Sequence, residues 1–287
     1  MNVRSVLGGA AAELSAAGVP SPRTDAELLA ARALGVPRGK LLLVDVFTQD
    51  QLDEFRQLIA ERVKRIPLQH LLGRAPFGDL DIAVGPGVFI PRPETELLVD
   101  WALRRTAEDA LVMDLCSGSG AIALAIAHQR PRARVIAIEN DGDALVWLRR
   151  NAHERSAAGD LAIEVIKGDV TDPDVPPRVF DGTVDVLLCN PPYVPELSSV
   201  PDEVFHDPRP AVFGGPTGLD VIGPVIRRAC TLVAVGGIVA IEHDDSHGVA
   251  VAALFAAAGA FIDIEVNPDL AGRPRFTTAR RWHTGSL

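Results

Sequence analysis

The tetrapeptide Asn190-Pro191-Pro192-Tyr193 (the Asn-Pro-Pro-Tyr motif) presents polar groups that could act on an amide or an amino group. It follows an apolar run, 184–189, that is typical of a buried strand. Proline ends that strand because it cannot donate to a sheet ladder, which leaves the Asn190 amide and the neighbouring carbonyls without ladder partners. In open α/β folds, such groups lie at the carboxyl edge of the sheet, where ligands bind. The alternative is a plain strand-ending loop that packs the chain's single tyrosine.

A second candidate site is a glycine-containing turn between a predicted strand at 111–115 and a predicted helix. Glycine allows positive φ and a close approach of the backbone to a ligand, and the helix start adds unpaired N–H groups. Glu139 ends the next predicted strand, 21 positions after Gly118, where an acid can accept hydrogen bonds from both hydroxyls of a ribose. We therefore predict a site for the adenosine part of a cofactor, with the candidate residues Asp114, Cys116, Ser117, Gly118, Ser119, Gly120 and Glu139. Asn190 is assigned to cofactor binding as well as to catalysis.

The glycine turn by itself does not identify the cofactor. Residues 118–123 also satisfy the looser dinucleotide-binding fingerprint, so an NAD-dependent dehydrogenase is an alternative at this point. Two features favour a methyltransferase. Asp169 and Val170 follow the third predicted strand, where an acid could meet the amino group of an adenine. The Asn-Pro-Pro-Tyr motif suits methylation of a planar NH₂ group, whereas hydride transfer has no need of it.

These motifs resemble the class I S-adenosylmethionine-dependent methyltransferases. Together with the segment 90–96 (Ile-Pro-Arg-Pro-Glu-Thr-Glu), they resemble the bacterial protein-(glutamine-N5) methyltransferases that modify peptide-chain release factors, the PrmC/HemK family. The resemblance covers about residues 67–281 well and the N-terminal helices only in outline. Later segments also look like landmarks of that family: Asp207-Pro208, Ala211, Gly214-Gly215, Gly218-Leu219, Ile241-Glu242-His243 and Gly272-Arg273-Pro274-Arg275-Phe276.

The resemblance implies transfer of a methyl group from S-adenosyl-L-methionine to the N5 atom of the glutamine in the Gly-Gly-Gln motif of class 1 release factors. In our interpretation, the Asn190 side-chain oxygen and the Pro191 carbonyl accept the amide N–H groups, Pro192 stiffens the turn, and Tyr193 covers the amide plane. The residues alone indicate only a planar amide or amine. A glutamine of a ribosomal protein and an exocyclic amino group of nucleic acid therefore stay open as acceptors. A non-catalytic binding protein is disfavoured because the whole motif is present.

Two positions depart from the family pattern. Cys116 stands where the turn often has a glycine, so the turn is expected to be less free. Val170 stands where an aromatic residue often follows the acid of the third strand, so an adenine there would keep an apolar contact and lose a stacking partner. Neither departure removes a group that we assign to catalysis.

The elements that must position these residues alternate between short apolar runs and helical stretches, which is typical of a parallel sheet wrapped by helices. The predicted strands are 111–115, 134–139, 162–167, 184–189 and 236–242. The predicted helices lie near 120–130, 142–153, 218–234 and 246–258. Two closing runs, 261–266 and 275–279, predict an antiparallel hairpin at the sheet edge. With the resemblance, the expected fold is α/β: a Rossmann-like class I methyltransferase domain with a mostly parallel seven-stranded sheet and a C-terminal antiparallel hairpin.

Residues 1–66 predict a small helical domain. Composition does not separate partner recognition from a simple capping role, and we assign the domain to substrate recognition. Pro22 is a favourable helix start and Gly35 a favourable stop. Thr48 and Gln51 have the spacing of a capping box, and apolar residues follow at helical intervals.

Residues 67–90 predict a β-hairpin that links the two domains. Its expected parts are a strand at 77–84, a turn at 85–87 that contains glycine and proline, and a returning strand at 88–90. The remaining chain, 91–287, is assigned to the methyltransferase domain.

Composition limits the partners. The chain has 287 residues, of which 47% are hydrophobic and 23% charged, as in ordinary globular proteins. No apolar run approaches the roughly 20 residues of a membrane span, and the first residues lack a secretory signal. Three widely spaced cysteines without a Cys-x-x-Cys pair or histidine cluster predict reduced thiols and no metal. The net charge of −10 argues against a broad nucleic-acid surface. We expect a cytoplasmic monomer whose partners are class 1 release factors, not membranes or nucleic acid.

Overall fold

The computed structural model describes residues 2–282, which form two compact units. The first unit comprises the chain up to Ala75 together with Val84–Pro86 and Val200–His206. The second comprises Pro76–Ala83, Gly87–Ser199 and the chain from Asp207 onward. In the described part of the chain, no helix combines the length and the apolar character needed to cross a membrane.

The first unit is helical. Its helices are α1 (Val3–Ala16), α2 (Pro22–Leu34), α3 (Gln49–Val63) and α4 (Leu68–Leu72), with a 3-10 helix at Arg38–Leu43. The predicted signals are confirmed. Helix α2 ends at Leu34 and is capped by Gly35, whose φ of 65° is left-handed. Thr48 and Gln51 make both hydrogen bonds of the capping box at the start of α3. The apolar faces of these helices share one core.

The predicted hairpin exists, but its strands are displaced. They are β1 (Arg74–Phe77) and β2 (Leu80–Ala83), so the turn lies at Gly78-Asp79. The described residues 85–90, where we expected the turn and the returning strand, contain no strand. Gly78 adopts a φ of 54° and closes a tight turn, so the chain reverses within the strand predicted at 77–84 and not after it.

The second unit is built on a mostly parallel sheet. Within residues 2–282 the sheet has seven strands in the order β5-β4-β3-β6-β7-β9-β8, and β9 is antiparallel to both of its neighbours. This confirms the expected fold class. The strands are β3 (Leu111–Leu115), β4 (Arg134–Glu139), β5 (Glu164–Lys167), β6 (Val184–Cys189), β7 (Val233–Glu242), β8 (Phe261–Pro268) and β9 (Pro274–Arg281).

Helices connect the strands and bury the central ones. They are α5 (Pro93–Leu103), α6 (Ala121–Gln129), α7 (Gly142–Ala157), α8 (Arg209–Val212), α9 (Ile222–Leu232) and α10 (Gly248–Ala257). The helix expected at 218–234 is shorter, because 213–221 forms a loop and the following strand begins at Val233. Buried residues of the central strands and of α9 and α10 form one core. That core fixes the carboxyl ends of β3, β4 and β6, which carry the predicted site.

Candidate active site

Three of the predicted segments meet at one edge of the sheet. Strand β3 lies between β4 and β6 and is parallel to both, with Leu115 aligned to Cys189. The next residues along each strand path are Cys116, Glu139 and Asn190, so all three lie at the carboxyl edge. After β3 the chain continues to β4, which lies on one side of β3, and it later returns to β6, which lies on the other side. This is the topological switch point at which open α/β sheets bind ligands.

The glycine turn has a left-handed backbone at three positions. The φ angles are 58° at Cys116, 55° at Gly118 and 85° at Gly120. Cys116 therefore adopts the conformation that a glycine would adopt freely, at a cost of about 1–2 kcal/mol. At Gly120 a side chain is also excluded by space, because a Cβ atom would overlap Leu148 Cδ1. At Gly118 a Cβ atom would meet nothing within 4 Å, so that side of the turn is open.

Glu139 is bound to the turn. Its Oε2 atom accepts the Gly118 N–H at 2.7 Å, and its Oε1 atom accepts the N–H groups of Asn140 and Asp141, both at 2.8 Å. Burial raises the pKa of the Glu139 carboxyl above its usual 4.5, and the backbone N–H groups oppose that shift. The carboxylate thus stands beside the open face of Gly118 as a hydrogen-bond acceptor.

Asp114 lies beneath the turn and is fully buried. Its Oδ2 atom accepts the Ala123 N–H of α6 at 3.3 Å, and its Oδ1 atom has no partner among the described residues. Burial raises the pKa of Asp114 to about 8, and the hydrogen bond from the Ala123 N–H opposes that shift. Ser117 Oγ donates to the Asp114 carbonyl at 2.9 Å, and the Ser119 carbonyl accepts from Asn151 Nδ2 at 2.9 Å. These hydrogen bonds therefore stabilise the conformation of the glycine turn.

Asp169 and Val170 follow β5 at the same edge, but only the first is exposed. Asp169 Oδ1 accepts the Thr171 N–H at 2.8 Å, and Asn140 Nδ2 donates to its Oδ2 at 3.5 Å. Val170 is 6% exposed and belongs to the core under the sheet edge. Only a small part of the Val170 side chain is therefore available for an apolar contact with a ligand at this edge.

The Asn-Pro-Pro-Tyr motif is held by side chains and by close backbone packing. Asn190 Nδ2 donates to Thr95 Oγ1 at 3.2 Å, and the Tyr193 hydroxyl donates to Glu242 Oε1 at 3.0 Å. Burial, and then the Glu242 charge, raise the pKa of Tyr193 well above its usual value, so its hydroxyl remains a donor. The motif is therefore a fixed element of the site.

The loop after α8 packs closely against the motif, which explains why two of the later family landmarks contain glycine. A Cβ atom at Gly214 would overlap the Pro192 carbonyl oxygen, and one at Gly218 would overlap the Tyr193 carbonyl oxygen. The Gly214 N–H also donates to the Val194 carbonyl at 3.0 Å. This loop can lie against the motif only because it has no side chains at these positions.

Sequence reasoning missed two residues that contact the motif, Thr95 and Glu242. Both lie in segments quoted only as family landmarks, and neither received a role. A detectable signal was present: Thr95 is a polar residue in the first turn of a helix, and Glu242 ends an apolar strand at the ligand edge.

The Arg92 guanidinium pairs with the buried carboxylate of Asp207, which anchors the start of α5.

Comparison with known families agrees with this geometry. A family model described as the PrmC N-terminal domain matches residues 5–73, and one described as the methyltransferase small domain matches residues 79–207. The second match spans the glycine turn and decides against the dehydrogenase alternative. A crystal structure of a methyltransferase from Pyrococcus furiosus has the same fold, with a TM-score of 0.52 at 18% identity over 73% of this chain and 91% of that one.

Relatives named release factor glutamine methyltransferase match over nearly the whole chain, and two of them serve as examples. The protein of Mycolicibacterium smegmatis is 50% identical over 281 residues, covering 97% of this chain and 98% of the relative. That of Corynebacterium glutamicum is 45% identical over 284 residues, covering 98% and 99%. The chain belongs to the family of release factor glutamine methyltransferases.

Proposed function

We propose that this protein transfers a methyl group from S-adenosyl-L-methionine to the side-chain nitrogen of a release-factor glutamine. One observation carries the proposal: the Asn-Pro-Pro-Tyr motif lies at the same switch point as the glycine turn and Glu139. A hydrogen-bond array for an NH₂ group and a site for a ribose are therefore neighbours. The names of the relatives support glutamine as the acceptor.

The residues at the edge suit S-adenosylmethionine. The open face of Gly118 admits a ligand to the backbone, and Glu139 Oε2, which accepts one backbone N–H, can also accept from a ribose hydroxyl. Asp169 is exposed where the amino group of an adenine would lie. The buried Oδ1 atom of Asp114, which has no partner among the described residues, is a further hydrogen-bonding group beneath the turn. When bound, the cofactor supplies a methyl group activated by its sulfonium.

The protein's part in the reaction is alignment. An amide nitrogen is a weak nucleophile because its lone pair is delocalised into the carbonyl. The Asn190 side-chain oxygen and the Pro191 carbonyl can each accept one N–H of the substrate amide, which fixes its direction and increases electron density on nitrogen. Tyr193 covers the amide plane and excludes water. A carboxylate substrate has no proton to offer these acceptors and is rejected.

We also retain the domain assignment from the sequence as a proposal. Residues 1–66 recognise the substrate, 67–90 link, and 91–287 perform the transfer. The acceptor is the glutamine of the Gly-Gly-Gln motif in class 1 release factors, which places the reaction in the cytoplasm. The enzyme acts as a monomer and needs no direct contact with nucleic acid.

The test is transfer of a labelled methyl group to a purified class 1 release factor. A release factor whose loop glutamine is changed to alanine is the matched control. We expect label on the first and none on the second. Label on neither, with cofactor binding intact, would refute the proposed acceptor, and ribosomal proteins and nucleic acid would then be assayed.

A variant separates chemistry from cofactor binding. Asn190→Ala removes one of the two proposed acceptors, so turnover should be lost while the dissociation constant of S-adenosylhomocysteine stays close to that of the wild type. Methylation at the normal rate by this variant would contradict the alignment mechanism.

A further inference from the structure

Three large apolar side chains are more exposed than any other among residues 2–282. They are those of Leu197, Leu270 and Val249, which are 99%, 93% and 86% exposed. Single exposed apolar residues are common on protein surfaces, so exposure by itself indicates no function. Large apolar side chains that gather in one region of the surface are different, because such patches mark interaction sites.

All three side chains lie at the edge of the sheet that carries the proposed active site. Leu197 is in the loop after β6, four residues beyond Tyr193. Val249 is in the first turn of α10, which follows β7. Leu270 is in the loop between β8 and β9. Since β9 is antiparallel to both of its neighbours, β8 runs parallel to β7 and also ends at the carboxyl edge.

The loop that carries Leu197 is connected to the start of α10. The N–H of Glu196, the preceding residue, donates to the Gly215 carbonyl at 3.1 Å. Farther along the loop that contains Gly215, a Cβ atom at Gly218 would overlap Cε1 of His247, which caps α10. One glycine-containing loop is therefore in contact with both the Leu197 segment and α10.

The start of α10 also packs against the hairpin of β8 and β9. A Cβ atom at Gly248 would lie 2.9 Å from Val266 Cγ1 and 3.3 Å from Pro274 Cβ. Val266 is itself exposed, and Leu270 lies in the loop between these two residues. The exposed apolar surface at Val249 therefore continues across the hairpin. We define the apolar rim as Leu197, Val249, Val266 and Leu270.

A buried carboxylate fixes the turn that carries Leu270. Asp269 Oδ1 accepts the N–H groups of Ala271 and Arg273 at 2.9 and 3.0 Å. Asp269 Oδ2 accepts from the guanidinium groups of Arg273 and Arg275 at 3.0 and 3.3 Å. These bonds hold the backbone on both sides of Leu270, whose side chain stays in solvent. An apolar anchor on a preformed turn reduces the ordering cost of binding a partner.

The charges along the apolar rim are mostly negative. Glu196, Asp245 and Glu265 are exposed in the segments that carry the rim residues. The Arg273 guanidinium in the same region is paired with the Asp269 carboxylate. The chain as a whole has a net charge of −10. A complementary partner therefore has apolar side chains with basic residues around them.

We propose that the apolar rim is a docking surface for the release factor that carries the acceptor glutamine, at a place where apolar side chains of that protein are surrounded by basic ones. This inference rests on the proposed function. The acceptors at Asn190 and Pro191 contact only the amide of one side chain. A protein whose glutamine enters that site must also cover the carboxyl edge around it, and the rim lies there. Contacts at the rim supply affinity without taking part in the chemistry.

Substitution of rim residues by serine tests the inference in a calorimetric titration with release factor, in the presence of S-adenosylhomocysteine. Leu197→Ser and Leu270→Ser should each raise the dissociation constant of the release factor about tenfold, because each removes an apolar side chain that the complex buries. In steady-state methylation the KM for the release factor should rise equally, with kcat unchanged at saturation.

Two controls separate docking from a structural role. The dissociation constant of S-adenosylhomocysteine and the melting temperature should stay close to wild type in both variants, because the two leucines are in solvent in the free protein. Val179→Ser is the matched control. Val179 is also exposed, at 74%, but it precedes β6 and therefore lies at the opposite edge of the sheet. This variant should bind the release factor like the wild type.

Charge gives a second readout. Glu196→Gln and Glu265→Gln should each weaken binding of the release factor about two- to threefold, and they should reduce the salt dependence of its dissociation constant. A wild-type affinity that does not fall with added salt would overturn the basic character assigned to the partner surface.

The remaining outcomes are distinct. Wild-type affinity for the release factor in Leu197→Ser and Leu270→Ser would overturn the docking inference and leave the proposed function intact. A wild-type dimer that Leu270→Ser dissociates would also overturn it, because the rim would then be a contact between two copies of this chain. If the wild-type protein labels no release factor, the proposed function is refuted, and the partner assigned to the rim is refuted with it.

Discussion

The substitution Glu139→Gln gives the most direct test of the cofactor site, because the Glu139 carboxylate accepts hydrogen bonds from three backbone N–H groups through its two oxygens. Oε2 accepts from Gly118, and Oε1 accepts from Asn140 and Asp141. A glutamine amide has one oxygen and one NH₂ group. Whichever way it is turned, the NH₂ group faces a backbone N–H, and one acceptor for the ribose is lost.

The size of the effect follows from hydrogen bonds to a charged acceptor, which are worth about 1.5–3 kcal/mol each. Loss of one such bond to a ribose hydroxyl raises the dissociation constant about 10- to 150-fold, at about 1.4 kcal/mol per factor of ten. Loss of the carboxylate oxygen that accepts the Gly118 N–H also weakens the turn, so we expect an increase of the dissociation constant in the upper part of this range.

Calorimetric titration with S-adenosylhomocysteine measures the change without turnover. Glu164→Gln is the matched control: it makes the same chemical change in β5 at an exposed pair with Arg134, at 2.9 Å. This control should bind like the wild type. A Glu139→Gln protein that is folded and binds within about twofold of wild type would remove Glu139 from the ribose role.

The pH dependence gives an independent check on the same residue. Burial raises the pKa of Glu139, and only the charged carboxylate accepts from a ribose hydroxyl while keeping its backbone hydrogen bonds. Cofactor affinity should therefore fall as the pH is lowered through this raised pKa. The effect on folding has the opposite sign, because a raised acid pKa means that protonation favours the folded state. The affinity change attributed to Glu139 should be absent in Glu139→Gln.

Two further substitutions test the packing. Gly120→Ala places a side chain on a left-handed backbone and against Leu148, so it should lower the free energy of unfolding in urea by about 2–5 kcal/mol. Gly118→Ala has only the backbone strain and should lower it by about 1–2 kcal/mol. Equal losses in the two variants would contradict the overlap with Leu148. Arg62→Ala leaves the buried carboxylate of Asp25, now bonded at 2.8 Å, without its cation and should cost about 3–5 kcal/mol. Adding Asp25→Ala should recover part of that loss, and strictly additive losses would contradict the pairing.

Local patterns predicted much of this protein because they report local physics. Apolar runs identified β3, β4 and β6 with their bounds, since strands buried on both faces are apolar along their length. The capping box at Thr48 and the stop at Gly35 were also correct, because helix ends depend on neighbouring residues. The hairpin was misplaced because several glycine and proline turns compete in residues 73–87 and local sequence does not rank them.

The sequence by itself determined the fold class, the glycine turn and the Asn-Pro-Pro-Tyr motif. Only the tertiary structure decided what surrounds that motif. Thr95 lies 95 positions from Asn190, and Glu242 lies 49 positions from Tyr193, so no local pattern links them. Their contacts depend on the order of strands in the sheet and on the packing of α5 at its edge. Strand order is set by the whole core, and for that reason the contacts of Asn190 and Tyr193 became visible only in the fold.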